Sequence, residues 1–201
     1  MAIPLTKNQI YTYGDYLNWP GEERWELIEG VPFCMTPAPS TRHQRVVGEV
    51  FRQIANFLIS RDCEVFMAPF DVRLPEADEA DSDIRTVVQP DIVVVCDPAK
   101  LDDRGCKGPP DFVVEALSPS TASRDYIQKT ALYEAHGVRE YWIVSPMENT
   151  VTQYLLTEAG RYSAPFFHEG GGSMPVTILP GLTVNLDAVF GVGAGWNKVS
   201  S

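Results

Sequence analysis

Along the chain the spacing of apolar residues changes from a period of two to about 3.6 and back, and these changes mark the elements. Arg24 to Met35 (RWELIEGVPFCM) reads as two short strands around a turn at Glu29-Gly30, an N-terminal β-hairpin. Pro37, Pro39 and Ser40 break that pattern. From Thr41 to Ser60 the residues Val46, Val47, Val50, Phe51, Ile54, Phe57 and Leu58 recur at helical spacing, which predicts a helix with Ser40 as its N-cap. Val65 to Leu74 is strand-like. Val87 to Cys96 (VVQPDIVVVC) is a nearly continuous β-branched run of the kind buried on both faces, which predicts a central strand ended by Asp97-Pro98. A polar loop with Gly105, Gly108, Pro109 and Pro110 follows, and Phe112 to Leu117 predicts a second buried strand. Ser118-Pro119-Ser120-Thr121 forms a turn into a helix from about Arg124 to His136, closed by Gly137. Tyr141 to Val144 is the next strand. Thr150 to Leu156 and Arg161 to Phe167 then read as a C-terminal hairpin around Ala159-Gly160, and a Gly-rich turn leads to a last apolar stretch, Val176 to Phe190.

This order predicts one domain over residues 1–201, of α/β (α+β) class, with a mixed sheet flanked by helices and an extra hairpin at each end. Its core spans about 15–190, and residues 191–201 are expected to fray. The composition, 44% hydrophobic and 21% charged, is that of a globular protein. No apolar run approaches the roughly 20 residues of a bilayer crossing, so no membrane association is expected. Met1 to Tyr13 lacks the features of a secretory signal, which points to the cytoplasm. Cys34, Cys63, Cys96 and Cys106 form no CxxC pair, and three of them lie in or beside apolar runs. They read as small buried hydrophobes, implying neither zinc nor disulfides.

Charge narrows the function. With 16 Lys plus Arg against 27 Asp plus Glu, the net is −11. Affinity for nucleic acid comes largely from phosphate neutralisation by basic side chains, so a sequence-indifferent nucleic-acid coat protein is excluded. Glu76, Asp78, Glu79, Asp81 and Asp83 lie between Pro75 and Ile84 with no basic residue among them, which reads as a solvated, mobile loop over 75–84. Removing those five charges still leaves −6. An enzyme with a small metal-dependent contact zone accommodates this balance better than a binder does.

An acid within an apolar strand is informative, because a buried carboxylate is costly unless it is paired, protonated or bound to a cation. Asp91 and Glu115 are two such acids in separate strands. If the strands are neighbours, the two carboxylates converge, and with a backbone carbonyl and water they make a magnesium-type site. The competing reading gives each acid a loop amide or a buried Arg as partner. In the following helix, Asp125, Lys129 and Tyr133 are spaced by four and share one side. A Lys beside a metal-bound water stabilises charge developing on phosphorus, whereas spacing alone favours an exposed Asp125–Lys129 pair. His43 in the first helical turn and Glu26 within WELI are further candidates, each with a purely structural alternative. Arg42, Arg45 and Arg52 fall roughly on one helix side, positioned for phosphates or simply for solvent. There is no Gly-rich phosphate loop, HExxH or GxSxG, so NTPase, metalloprotease and serine-hydrolase readings lack support.

ELIEG (26–30), the Pro-Ser-Thr before His43, VVQPDIVVV (87–95), GCKGPPDFVVEALSPST (105–121), the Asp125 to Lys129 helix and GVREYWIV (137–144) together resemble the Uma-type putative restriction endonuclease family, within the PD-(D/E)xK nuclease superfamily. The resemblance covers about residues 15 to 190 and implies a restriction-endonuclease-like fold. It matches the superfamily's PD aspartate to Asp91 after Pro90, and its strand acid to Glu115. The superfamily lysine two positions later falls on Leu117. The family places its lysine on the following helix instead, here Lys129. A metal would be held by Asp91, Glu115 and the backbone carbonyl of Ala116, and Glu26 and His43 lie in family-typical motifs near the site.

The resulting expectation is an endonuclease that uses Mg²⁺, or Mn²⁺ in its place, to hydrolyse DNA phosphodiester bonds. Its catalytic residues are Asp91, Glu115 and Lys129, and Gln89, two residues before Asp91, helps orient the water. Two cuts in a duplex suggest a homodimer. The alternative is a catalytically silent binding or regulatory module that retains the fold.

Overall fold

The computed structural model describes residues 9–20, 23–35, 40–118 and 124–192. The chain opens with a single helical turn, α1 (Tyr13–Tyr16), closed at its start by reciprocal bonds between Thr12 and Asp15. The first hairpin is where the pattern puts it: β1 (Trp25–Ile28) pairs antiparallel with β2 (Val31–Cys34). Glu29 and Gly30 both take positive φ at the turn, as a type I′ connection requires. Helix α2 (Thr41–Leu58) is capped by the Ser40 side chain, which accepts from the His43 amide at 3.2 Å.

Two strand-like runs each divide into two. Val65 to Leu74 becomes β3 (Glu64–Met67) and β4 (Val72–Arg73), separated at the cis Ala68–Pro69 bond. Val87 to Cys96 becomes β5 (Val87–Val88) and β6 (Ile92–Val95). Pro90 has no amide hydrogen to give a ladder, so the run breaks there and passes from one sheet to another. The polar loop after Asp97 contains a small hairpin that the pattern does not predict, β7 (Leu101–Asp102) with β8 (Gly105–Lys107). Gly105 has φ +119°, and a Cβ there would meet the Asp71 carbonyl oxygen at 2.2 Å, so β8 can lie beside β4 only with glycine at this position.

Strand β9 (Phe112–Ala116) is followed by a π-helical turn over Arg124–Lys129 that runs into α3 (Thr130–His136), ended by Gly137 at φ +85°. Strands β10 (Glu140–Ser145), β11 (Thr150–Leu155) and β12 (Phe166–Glu169) complete the main sheet, and β13 (Ser173–Pro175), β14 (Thr183–Asn185) and α4 (Leu186–Phe190) close the described chain. The Pro37–Pro39 break, most of the Ser118–Thr121 turn and most of the tail lie outside the described residues.

Two six-stranded sheets result, ordered β2-β1-β5-β4-β8-β7 and β12-β11-β10-β9-β6-β3, the second mixed because β9 and β10 are parallel. One face of the second sheet packs Ile92, Val94, Phe112, Val114 and Trp142 against Val46, Val47, Val50 and Ile54 of α2. Its other face packs Val93, Val95, Val113 and Tyr141 against Leu132 and Tyr133 of α3 and against Val72 and Val88 of the first sheet. Strands covered on both sides read as unbroken apolar runs, as β6 and β9 do.

The cysteines depart from expectation. Cys63 and Cys96 are joined in a disulfide, while Cys34 and Cys106 are free. The β3–β6 register pairs Glu64 with Val95, so the next step outward sets Cys63 opposite Cys96 with Cα atoms 4.0 Å apart, a proximity no sequence spacing reveals. The acidic loop is largely exposed, but Asp81 is drawn to Arg73 at 2.7 Å and to Arg104 at 3.3 Å. Its counterions come from β4 and from the turn between β7 and β8.

Candidate active site

The sheet crossing sets the geometry. Asp91 precedes β6, and β6 pairs antiparallel with β9 through Ile92↔Val114, so the register places Asp91 opposite Glu115. Directly opposed residues in such a pair have Cβ atoms about 4.5–5.5 Å apart. The two acids therefore stand on neighbouring strands, directly across from each other.

Glu115 is buried, and its Oε1 accepts from Lys129 Nζ at 2.7 Å and from Tyr133 OH at 2.8 Å. Lys129 Nζ also donates to Glu26 Oε1 at 2.8 Å, and that oxygen accepts from the Gln89 amide at 2.9 Å. Relative exposures of 1% for Glu26, 3% for Lys129 and 5% for Glu115 make this a buried triad. Lys129 is thus buried, whereas helical spacing alone suggests an exposed residue. It is the last residue of the π-helical turn, its ammonium turned inward onto two strand acids, and the Asp125 side chain lies outside the described residues. Tyr133, one turn on, is fully buried. Burial first and then the Glu115 charge push its phenol well above its ordinary range, so it stays a donor to Glu115.

On the other side of Glu115, Asp91 Oδ2 accepts from the Ala116 amide at 2.8 Å. His43 Nε2, reaching from the first turn of α2, lies 3.0 Å from the Ala116 carbonyl oxygen and 3.3 Å from Asp91 Oδ2. A carbonyl only accepts, so Nε2 carries the hydrogen. Asp91 Oδ2 and Ala116 O therefore aim at one polar atom. Hard oxygens converging in this way suit a magnesium-type ion. Among the described residues no group of three or more His, Cys, Asp or Glu is gathered closely enough to hold a metal, so an ion here would rely on two carboxylates, one carbonyl and water.

Gln89 has a different place from the one its spacing suggested. Its side chain accepts from Arg24 Nε at 2.8 Å and donates to Asp71 Oδ1 at 2.8 Å and Tyr16 OH at 3.1 Å. It serves the triad through its backbone amide. Burial raises the Asp71 carboxyl, opposed by the hydrogen bonds from Gln89, Tyr16 and Tyr13. Of the three arginines on α2, Arg42 is committed to Pro146 O and Asn149 Oδ1, and Arg52 to Glu49. Glu140, a further acid in an apolar strand, shows the structural alternative realised. Its carboxylate accepts from Trp142 Nε1 and Gln153 Nε2, both at 2.7 Å, and from the Ile178 amide at 2.9 Å, far from the triad in sequence and partners.

Comparison with known proteins agrees with this architecture. The profile of the Uma2 family, described as "Putative restriction endonuclease", matches residues 13–187. The chain is 27% identical over 152 residues to the uncharacterized protein slr1290 of Synechocystis sp. (strain ATCC 27184 / PCC 6803 / Kazusa), covering 74% of this chain and 75% of that one. The crystal structure of a putative nuclease belonging to DUF820 from Anabaena variabilis ATCC 29413 superposes with a TM-score of 0.71 at 20% identity, covering 90% of this chain and 97% of that one. At that identity the likeness shows the fold.

Proposed function

The chain belongs to the Uma2 family, and on that premise we propose that it is a magnesium-dependent endonuclease that hydrolyses DNA phosphodiester bonds. The observation that carries this reading is the opposition of Asp91 and Glu115 across β6 and β9, with Lys129 Nζ 2.7 Å from Glu115. Asp91, Glu115 and the Ala116 carbonyl would hold the ion, and Mn²⁺ suits the same oxygen donors. Bound there, Mg²⁺ would supply Lewis acidity toward the phosphodiester.

The remaining work belongs to the chain. Lys129, held between Glu26 and Glu115, positions and polarises the attacking water. Glu26 and Tyr133 hold the two partners of that contact in place, Glu26 on the ammonium and Tyr133 on the Glu115 carboxylate. His43, which contacts both Asp91 and Ala116, orients those two oxygen donors. Cleavage of both strands calls for two such sites, which a homodimer supplies.

One observation favours a second reading. Asp91 Oδ2 and Glu115 Oε1 each have partners within the protein, as expected of a structural core in a catalytically silent module. Calorimetric titration of Mg²⁺ and Mn²⁺ into the parent and Glu115→Gln, with plasmid nicking in the same buffers, separates the two. The nuclease reading expects binding and nicking in the parent and loss of both in the variant. Nicking by E115Q at the parental rate sinks the assignment, and a parent that neither binds ions nor nicks is the silent module.

A further inference from the structure

Among the described arginines Arg24 is set apart by a buried terminal nitrogen that has no hydrogen-bond partner. Arg52, Arg73, Arg85, Arg104, Arg139 and Arg161 each lie within ion-pair distance of a carboxylate. Arg24 is half-buried and makes no ion pair among the described residues, although acids outnumber basic residues 27 to 16. Its Nη2 is buried without a hydrogen-bond partner. Leaving a partly desolvated guanidinium without a counter-anion is costly, and the cost is recovered when an anion arrives.

The guanidinium is also held in a fixed orientation. Its Nε donates to Gln89 Oε1 at 2.8 Å. The Gln89 amide is oriented in turn, because its nitrogen donates to Asp71 Oδ1 at 2.8 Å and to Tyr16 OH at 3.1 Å, which turns its oxygen toward Arg24. This support leads directly to the triad, since the Gln89 backbone amide bonds the same Glu26 oxygen that Lys129 holds. Arg24 lies two residues before Glu26, so strand alternation sets both side chains on one face.

We propose that Arg24 is an anion-binding residue of this site and takes a phosphate of the DNA backbone at or next to the bond that is cut. The planar guanidinium matches phosphate oxygens, and with Nε fixed by Gln89 and Nη2 buried, Nη1 is the nitrogen turned to an incoming phosphate. Tyr16, Asp71 and Gln89 are positioning residues for it. The inference rests on the nuclease reading and adds the group that recognises substrate charge, a task for which Lys129, committed to two carboxylates, is poorly disposed.

The test is fluorescence anisotropy of a labelled duplex oligonucleotide with the full-length parent, R24M and R24K. It is run in Ca²⁺, which takes the same oxygen donors in looser geometry, between roughly 50 and 200 mM salt. R24M is expected to bind about tenfold more weakly, with the slope of log K against log salt reduced by about one, while Mn²⁺ binding measured by calorimetry is unchanged. R24K keeps the charge, so it is expected to retain the slope and lose part of the affinity. Should R24M fail to fold, R24K decides, and parental affinity in R24K then overturns the proposal. R24M with parental affinity and slope overturns the role of Arg24 and leaves the nuclease reading standing. A parent that binds no duplex overturns both.

Discussion

Replacing Lys129 by Met removes the ammonium that bridges two buried carboxylates, and the structure sets the size of the effect. Nζ lies 2.8 Å from Glu26 Oε1 and 2.7 Å from Glu115 Oε1. The two oxygens therefore stand no more than about 5.5 Å apart, a separation at which two negative charges repel by about 3 kcal/mol at an effective dielectric of about 20. Breaking a buried ion pair by deleting one partner costs about 3–5 kcal/mol in other proteins, the same range. K129M is thus expected to lose about 3–5 kcal/mol near pH 7, which at a urea m-value of about 2 kcal/mol/M moves the unfolding midpoint down by about 2 M. Most of that loss is like-charge contact, so K129M/E26Q should be more stable than K129M alone, a non-additivity expected only of residues in direct contact. Equilibrium urea unfolding of the parent, K129M, E26Q and the double variant measures both quantities. A midpoint shift below about 0.5 M in K129M, or a double variant no more stable than K129M, refutes the buried triad, because an exposed pair contributes only about 0–1 kcal/mol.

Other consequences are smaller. Y133F removes a fully buried donor from Glu115 Oε1, a hydrogen bond to a charged group worth about 1.5–3 kcal/mol. Its thermal midpoint should fall by about 3–12 °C, and a midpoint equal to the parent's contradicts the contact. The Cys63–Cys96 bond closes a loop of sequence separation 33, so C63S/C96S should lose about 2–4 kcal/mol in urea unfolding without reductant. Equal midpoints with and without reductant would exclude the bond in solution. Burial and the neighbouring Asp71 push the Tyr13 phenol up from 10.0 to about 12. A raised folded-state pKa contributes stability that is complete below pH 10 and is lost as pH rises toward 12, so the urea midpoint should fall over that window and fall less steeply in Y13F.

Local features of the sequence were legible wherever one element settles them. The Glu29-Gly30 turn, the Ser40 cap and the Gly137 terminus all follow from the conformations those residues favour. The convergence of Asp91 and Glu115 was readable because an acid in an apolar run has few explanations, and adjacent buried strands supply one. What stayed hidden depends on partners remote in sequence. Val87 to Cys96 looks like one strand, yet its halves belong to different sheets, and periodicity carries no information about which sheet a residue joins. Lys129 has the spacing of an exposed helical pair, and only the approach of β1 and β9 shows that Glu26 and Glu115 are its partners. Cys63 and Cys96 meet through a register fixed by β3 and β6. The same reasoning that selects Glu115 also selects Glu140. Its partners, Trp142, Gln153 and the Ile178 amide, are what set the two acids apart.

The net charge of −11 opposes a polyanionic substrate as a sum, but the distribution of charge matters more. Asp81 and Asp102 lie on Arg73, and Glu76 on Arg85, so these acids carry basic partners beside them rather than standing as bare charge. At the site the formal charges of Glu26, Asp91 and Glu115 exceed that of Lys129 by two, a balance that repels phosphate. On the proposed function, a divalent cation held by Asp91 and Glu115 would cancel that excess, and Arg24 would then leave the site positive. The ion and the DNA would on that accounting bind with mutual reinforcement, since each would lower the electrostatic cost of the other, and the linkage is the same in both directions. A chain repelled by nucleic acid over most of its surface would then accept a backbone phosphate at one place, and only when the ion is bound.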